Sequence, residues 1–328
     1  MQKTLSVINL SAISHNAHFV RSLIKNRFFW AVVKADAYGH GAEQVARELE
    51  SIADGFCVAI ADEGAALRAS GISKPVLVLA PPRDTADADK IKFYGLIPSV
   101  TDELSAKLIA GTPCQVAINT GMNRYGSFGE ELSALLSILP KGSIAGAYSH
   151  LYAAEDDLHS KRQLDFFLSE SAKIKAHSPD AFLHIAASGG ILRGGDYLLD
   201  GVRCGLMLYG YAPNGFKCKN LIPALKVYAP LMQSTRCVGE GVGYNIAQER
   251  YDRLYTYRLG YADGFLRGVP LGEKTLCMDA FISKQRQDLL PVMENADIYA
   301  NRAGTISYET LCSVTERSQR IYERPTEI

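Results

Sequence analysis

The sequence predicts an α/β protein: an N-terminal (β/α)8 TIM-type barrel followed by a smaller, mainly β C-terminal domain. Three observations lead there. Eight short apolar runs alternate with helix-like segments between about residues 28 and 205. The runs are continuous, as in strands buried on both faces. Beyond about residue 221 the helical periods give way to strand-like segments with Gly-containing turns.

The opening LSVINL (5–10) reads as a strand that joins the C-terminal domain, so the expected division is 1–10, then a barrel over 11–220, then a β domain over 221–328. The barrel strands are FFWAVV (28–33), GFCVAI (55–60), PVLVL (75–79), LIPSV (96–100), CQVAI (114–118), IAGAYS (144–149), FLHIA (182–186) and DGVRC (200–204). Eight strands alternating with helices favour a closed barrel over an open sheet. AEQVARELE (42–50), DEGAALRAS (62–70) and the stretch from Leu158 to Ala176 supply helices, and in the first Val45, Leu49 and Ile52 recur at helical spacing. VYAPLMQSTRCVGEGVGYN and YDRLYTYRLGYADG read as strands of the second domain.

Composition bounds the function. A chain of 328 residues with 47% hydrophobic and 21% charged residues is an ordinary globular protein with a sizeable core. Lys+Arg and Asp+Glu are both 35, so no broad field gathers nucleic acid or an anionic membrane. The seven cysteines are odd in number and none forms a C-x-x-C pair, which argues against a disulfide framework or a thiolate metal site and suits a reducing cytoplasm. The N-terminus lacks the apolar segment of a signal peptide, and no run reaches the roughly 18 apolar residues of a membrane span.

Chemistry-bearing side chains fall at strand ends. Lys34 ends the first strand, with Tyr38 just beyond; Arg124 follows the fifth, His150 the sixth and Ser188 the seventh; Arg203 and Gly205 lie at the eighth. Taken singly, each has an ordinary role: a solvated Lys, surface Arg partners, a core His at 150 or 184, a helix-capping Ser, a turn Gly. In such barrels, however, the active site is built at the C-terminal strand ends. Convergence from five strands therefore points to one site.

Eight segments in order resemble the alanine racemase family: AVVKADAYGHGA (31–42), NTGMNRYG (119–126), AYSHLYA (147–153), HIAASGG (184–190), VRCGLMLYG (202–210), GYADGFLR (260–267), CMD (277–279) and ISYETLC (306–312). The resemblance implies a pyridoxal 5'-phosphate (PLP) enzyme acting on an amino acid as a homodimer with shared active sites. It makes Lys34 the cofactor-bearing lysine and places the phosphate at Tyr38, Ser188, Tyr308 and the backbone of Gly205–Leu206. Arg203 becomes the partner of the pyridine nitrogen and His184 the residue that orients it. His150 packs on the ring, Arg124 reaches the phenolate oxygen and substrate, and Met278 lies near the substrate carboxylate. Lys34 and Tyr261, the latter from the partner subunit, become the two bases on opposite faces of Cα. A donor-only Arg at the pyridine nitrogen is a poor proton source, which limits side reactions such as transamination. Alanine is the expected substrate; serine, a broader set, or decarboxylation by an enzyme of the same class stand as alternatives.

Several positions depart from the family pattern. Asp36 replaces Asn, Ala117 a lysine that is often carbamylated, Asn119 an Asp, Ala187 an Asn and Cys204 a Pro. Ala117 and Asn119 bear on the support of Arg124.

Overall fold

Strands built from consecutive Val, Ile, Phe and Leu have no polar face and must be covered on both sides. The computed structural model, which describes residues 3–314 and 317–325, shows how the chain does this. Strand β1 (Leu5–Asn9) lies in a separate sheet. Then β2 (Phe28–Val32), β3 (Gly55–Val58), β4 (Val76–Val78), β5 (Ile97–Val100), β6 (Cys114–Ala117), β7 (Ile144–Tyr148), β8 (Phe182–His184) and β9 (Gly201–Cys204) form an eight-stranded sheet. Neighbours from β2 to β8 pair in parallel, and β9 pairs with β2. Between β8 and β9, Asp200 N–H donates to Leu183 O (3.1 Å) and Arg203 N–H to Ala186 O (2.9 Å), which joins the two ends of the sheet into a barrel. All eight expected strands are present, and the expected helices run over Ala42–Leu49, Ala61–Ala69 and Asp157–His177.

The chain divides into two compact units. One comprises 13–37 and 42–221 and holds the barrel; the other comprises 1–12, 38–41 and 222–328. In the barrel unit, Val116, Ile118, Leu132, Leu135, Leu164 and Phe167 are buried in one cluster between strands and outer helices. Full burial of one such side chain contributes about 1.5–3 kcal/mol. The interior at the start of the strands is filled by rings: Phe28 lies 4.7 Å from Trp30 and 5.4 Å from Phe182 between centroids. Glycines on adjacent strands make room. A Cβ at Gly55 would come within 2.5 Å of the Trp30 ring, and one at Gly201 within 2.4 Å of Phe182.

The second unit is built on β10 (Leu225–Arg236), with β11 (Gly241–Val242), β12 (Asn245–Ile246), β13 (Arg253–Tyr257), β14 (Phe281–Ser283), β15 (Leu289–Met293) and β16 (Gln319–Glu323). β10 pairs antiparallel with β1, β13 and β15, while β1 pairs in parallel with β16. Two features differ from the sequence reading. GYADG is not strand: Tyr261–Asp263 is a single 3-10 turn, ended by Gly264 at φ 93°. The region also holds helices at Ala296–Ala303 and Ser307–Ser313. At 8 and 7 residues they are about two turns long, too short to display a helical period.

Candidate active site

The segment after β2 sets the position of Lys34. Ala35, Asp36, Ala37 and Tyr38 all have φ between 51° and 54°, a left-handed turn made of non-glycine residues. Such backbone costs about 1–2 kcal/mol per residue, so the turn needs outside support. Ala37 N–H donates to Val33 O (2.9 Å). Glu63 accepts from Ala35 N–H (2.7 Å) with one carboxylate oxygen and from Ala59 N–H (2.6 Å) with the other. Asp36 Oδ1 accepts from Ala42 N–H (2.7 Å). That role needs only an acceptor oxygen, which accounts for Asp standing in for Asn.

Arg203, on β9, is 3% exposed and bound on four sides. Its Nη1 donates to His184 Nδ1 (2.8 Å) and His184 O (3.2 Å), and its Nη2 to Ser149 O (2.5 Å) and Ile185 O (3.4 Å). The guanidinium also stands 5.0 Å from the centre of the Tyr148 ring. Tyr148 Oη donates to Ser99 Oγ (2.8 Å), which itself donates to Val78 O (2.6 Å). The upper interior of the barrel is thus a hydrogen-bonded polar layer rather than the usual bulky aliphatic one. Burial and the Arg203 charge hold His184 well below its ordinary pKa.

Lys34, Arg124 and Arg203 also act together on His150. Burial, then Arg203, Arg124 and Lys34, lower its pKa from 6.5 to about 3. The ring at the end of β7 is therefore neutral at physiological pH. Burial pushes the Cys57 thiol up to about 12 against the opposing charges of Arg203 and Lys34, so it is no thiolate nucleophile.

The Arg124 loop keeps its shape despite the changes at 117 and 119. Asn119 Oδ1 accepts from both Gly121 N–H (3.0 Å) and Asn123 N–H (3.1 Å), and its Nδ2 donates to Asn123 Oδ1 (3.1 Å). Any Asx oxygen closes such a turn. Arg124 itself is exposed and has no hydrogen bond or ion pair among the described residues, so the structure joins it to the other site residues through charge alone. A cavity of about 870 Å³ lies beside it, lined by Arg83, Asp102, Asn119, Asn123, Arg124 and Ser127. Gln163, absent from the sequence reading, ties the two loops together. Its Nε2 donates to Thr120 Oγ1 (2.8 Å) and His150 O (3.0 Å), and its Oε1 accepts from Tyr152 N–H (3.1 Å).

Ser188 is the first residue of helix Ser188–Arg193 rather than its cap; Ala187 occupies the cap and makes no side-chain bond. Ser188 Oγ accepts from Met207 N–H (3.3 Å), one residue past Leu206. Gly205 precedes the short helix Leu206–Tyr209, whose first N–H groups have no partner within that helix.

In the other unit, Tyr38 and Tyr308 come together, their ring centres 6.1 Å apart. The two C-terminal motifs are laid against each other: Tyr261 N–H donates to Cys277 O and Ala262 N–H to Met278 O, both at 3.0 Å. Only glycine fits at 260, because a Cβ there would lie 1.9 Å from Met278 O. Asp263, 1% exposed, accepts from Gly260 N–H (2.8 Å) and Arg258 (3.0 Å) and is paired with Arg317 at 3.4 Å. Tyr261 and Met278 themselves are 46% and 59% exposed.

The barrel rim thus gathers a lysine, a fixed arginine and a neutral histidine at the strand ends, where barrel enzymes build their active sites. The family model for the N-terminal domain of alanine racemase matches residues 8–213. An alanine racemase of Carboxydothermus hydrogenoformans is 33% identical over 98% of this chain and 100% of its own. A solved alanine racemase of Clostridium difficile superposes with a TM-score of 0.88 at 28% identity, covering 100% of this chain and 97% of that one. Another, from Bartonella henselae with covalently bound pyridoxal phosphate, gives a TM-score of 0.83 at 26% identity, covering 98% of this chain and 100% of that one. The chain belongs to the alanine racemase family.

Proposed function

We propose that the protein interconverts L- and D-alanine with PLP on Lys34, and that Lys34 and Tyr261 exchange the Cα proton on opposite faces. The observation that carries the reading is Arg203. All four of its Nη protons are engaged with His184, Ser149 and Ile185, whereas its Nε–H has no partner among the described residues. An unpartnered donor on a buried guanidinium suits an aromatic nitrogen acceptor. The neutral His150 ring suits stacking, and Ser188 with the Gly205–Leu206 backbone suits a phosphate. Tyr38 and Tyr308 would add two hydroxyl donors to it.

When bound, PLP supplies an electron sink for the Cα electron pair. The protein does the rest. Lys34 Nζ takes up or returns the proton on its face, and Tyr261 Oη does so on the other, so the pair holds one transferable proton while Cα keeps its own and two while Cα has given its proton up. Arg203 donates a hydrogen bond without giving up its proton. Arg124 would reach the phenolate oxygen of the cofactor and the substrate, and Met278 would stand near the substrate carboxylate. Tyr261 would come from a second copy of the chain in a homodimer; its exposure and that of Met278 favour a surface completed by another subunit.

Borohydride reduction of the PLP-loaded protein, followed by peptide mapping, tests the assignment. Label fixed on Lys34 is expected; label on another lysine, or none, overturns it.

A further inference from the structure

We infer that Gln115 is a positioning residue: its side-chain carbonyl fixes His184 in the Nε2–H form and thereby makes Nδ1 the acceptor that orients Arg203. The inference follows from the direction of each hydrogen bond. Arg203 Nη1 can only donate, so His184 Nδ1, 2.8 Å away, must present its lone pair. A neutral imidazole then carries its one proton on Nε2. That nitrogen lies 2.5 Å from Gln115 Oε1, an acceptor. The reverse amide would set NH2 against N–H, two donors at hydrogen-bond distance. Only one arrangement satisfies all three groups.

The surroundings hold it in place. Gln115 is 3% exposed and His184 fully buried. Gly146, opposite Gln115 on β7, leaves the space: a Cβ there would lie 3.2 Å from Gln115 Cδ and 2.6 Å from Phe182 O. Besides Arg203, the rings around His184 are Trp30, Tyr148 and Phe182, none of them an acid at physiological pH. Burial and the Arg203 charge both disfavour the imidazolium. The chain Gln115–His184–Arg203 therefore aligns hydrogen bonds without conducting a proton, because the amide does not titrate and the guanidinium does not deprotonate. A carboxylate at 115 would stabilise a doubly protonated His184, which offers Arg203 no lone pair and repels it.

The link to cofactor chemistry rests on Arg203 as the partner of the pyridine nitrogen, and two readouts separate the claims. The first is nitrogen NMR of histidine-labelled protein without cofactor, with the His184 signal assigned by its loss in His184→Asn. A protonated Nε2 and bare Nδ1, unchanged through neutral pH, are expected. A proton on Nδ1, or on both nitrogens, overturns the inference with no other variant needed. In Gln115→Glu, His184 should become doubly protonated near neutral pH; a His184 that stays neutral there also overturns it. The second readout is the PLP-loaded Gln115→Glu protein, whose visible spectrum should shift and whose transamination by-product should rise about tenfold relative to racemisation, the effect of one pK unit. Expected NMR with an unchanged spectrum and by-product would refute the role given to Arg203 while leaving the Gln115 assignment intact.

Discussion

The barrel rim and the β unit hold their functional side chains in opposite ways. At the rim, Arg203 and His184 are buried and each hydrogen bond has a fixed direction. In the β unit it is the backbone that is fixed: Gly260, Tyr261 and Ala262 are pinned against Cys277–Asp279, while the Tyr261 side chain is half exposed. The rim is thus preorganised from within its own unit, as electrostatic stabilisation requires. The β unit presents a rigid base on which an exposed hydroxyl waits for its surroundings. The proposed mechanism would divide the labour in this way, with cofactor chemistry at the rim and the second proton carrier on the β unit of another copy.

Substitutions can break this contrast. Lys34→Ala should have the largest effect, a loss of racemisation of at least about a thousandfold together with loss of the covalent PLP chromophore; retained turnover with a normal spectrum would remove Lys34 from the centre. Tyr261→Phe should slow turnover by about a hundredfold. The loss in kcat/KM is necessarily equal in both directions, but the Cα isotope effect should change more in one direction than in the other, because only one face loses its carrier. A small loss with isotope effects unchanged in both directions would make Tyr261 a bystander. Gly260→Ala tests the base beneath it. Forcing a Cβ against Met278 O should destabilise the β unit by about 1–3 kcal/mol, read as a lower Tm. Its kcat should fall while covalent PLP binding at Lys34 persists.

The smallest effect concerns pH. The folded His150 ring stays neutral down to about pH 3, whereas the unfolded ring takes up a proton below its ordinary 6.5. Stability should therefore be unaffected by this group above pH 6.5 and decline as pH falls from 6.5 toward 3. His184 acts in the same direction. Tm measured across that window should slope less in His150→Asn; parallel slopes would mean that His150 is solvated and titrates normally.

The barrel was legible because strands buried on both faces leave continuous apolar runs, and Lys34, His150 and Arg203 because they stand where those runs end. Gln115, Tyr148 and Gln163 gave no such signal. A polar residue inside a short strand or a long helix looks like any solvated one until the fold points it inward. The left-handed turn after Lys34 was equally silent, since of Ala35, Asp36 and Ala37 only Asp favours positive φ. In the β unit, two-turn helices and a Gly-bounded 3-10 turn are shorter than the periods by which sequence patterns are read. At 36 and 119 the side-chain oxygen that Asp and Asn share accepts the backbone N–H groups of the turn, and Asn119 adds an Nδ2–H bond to Asn123 that an Asp could not make.

The central claim is best tested by a chiral product assay in deuterated water. Purified protein with PLP would be offered L-alanine, L-serine and L-lysine separately. D-alanine carrying deuterium at Cα, formed faster than any other product, is the predicted result. Carbon dioxide release, or covalently bound PLP with no Cα exchange on any of the three, would contradict it.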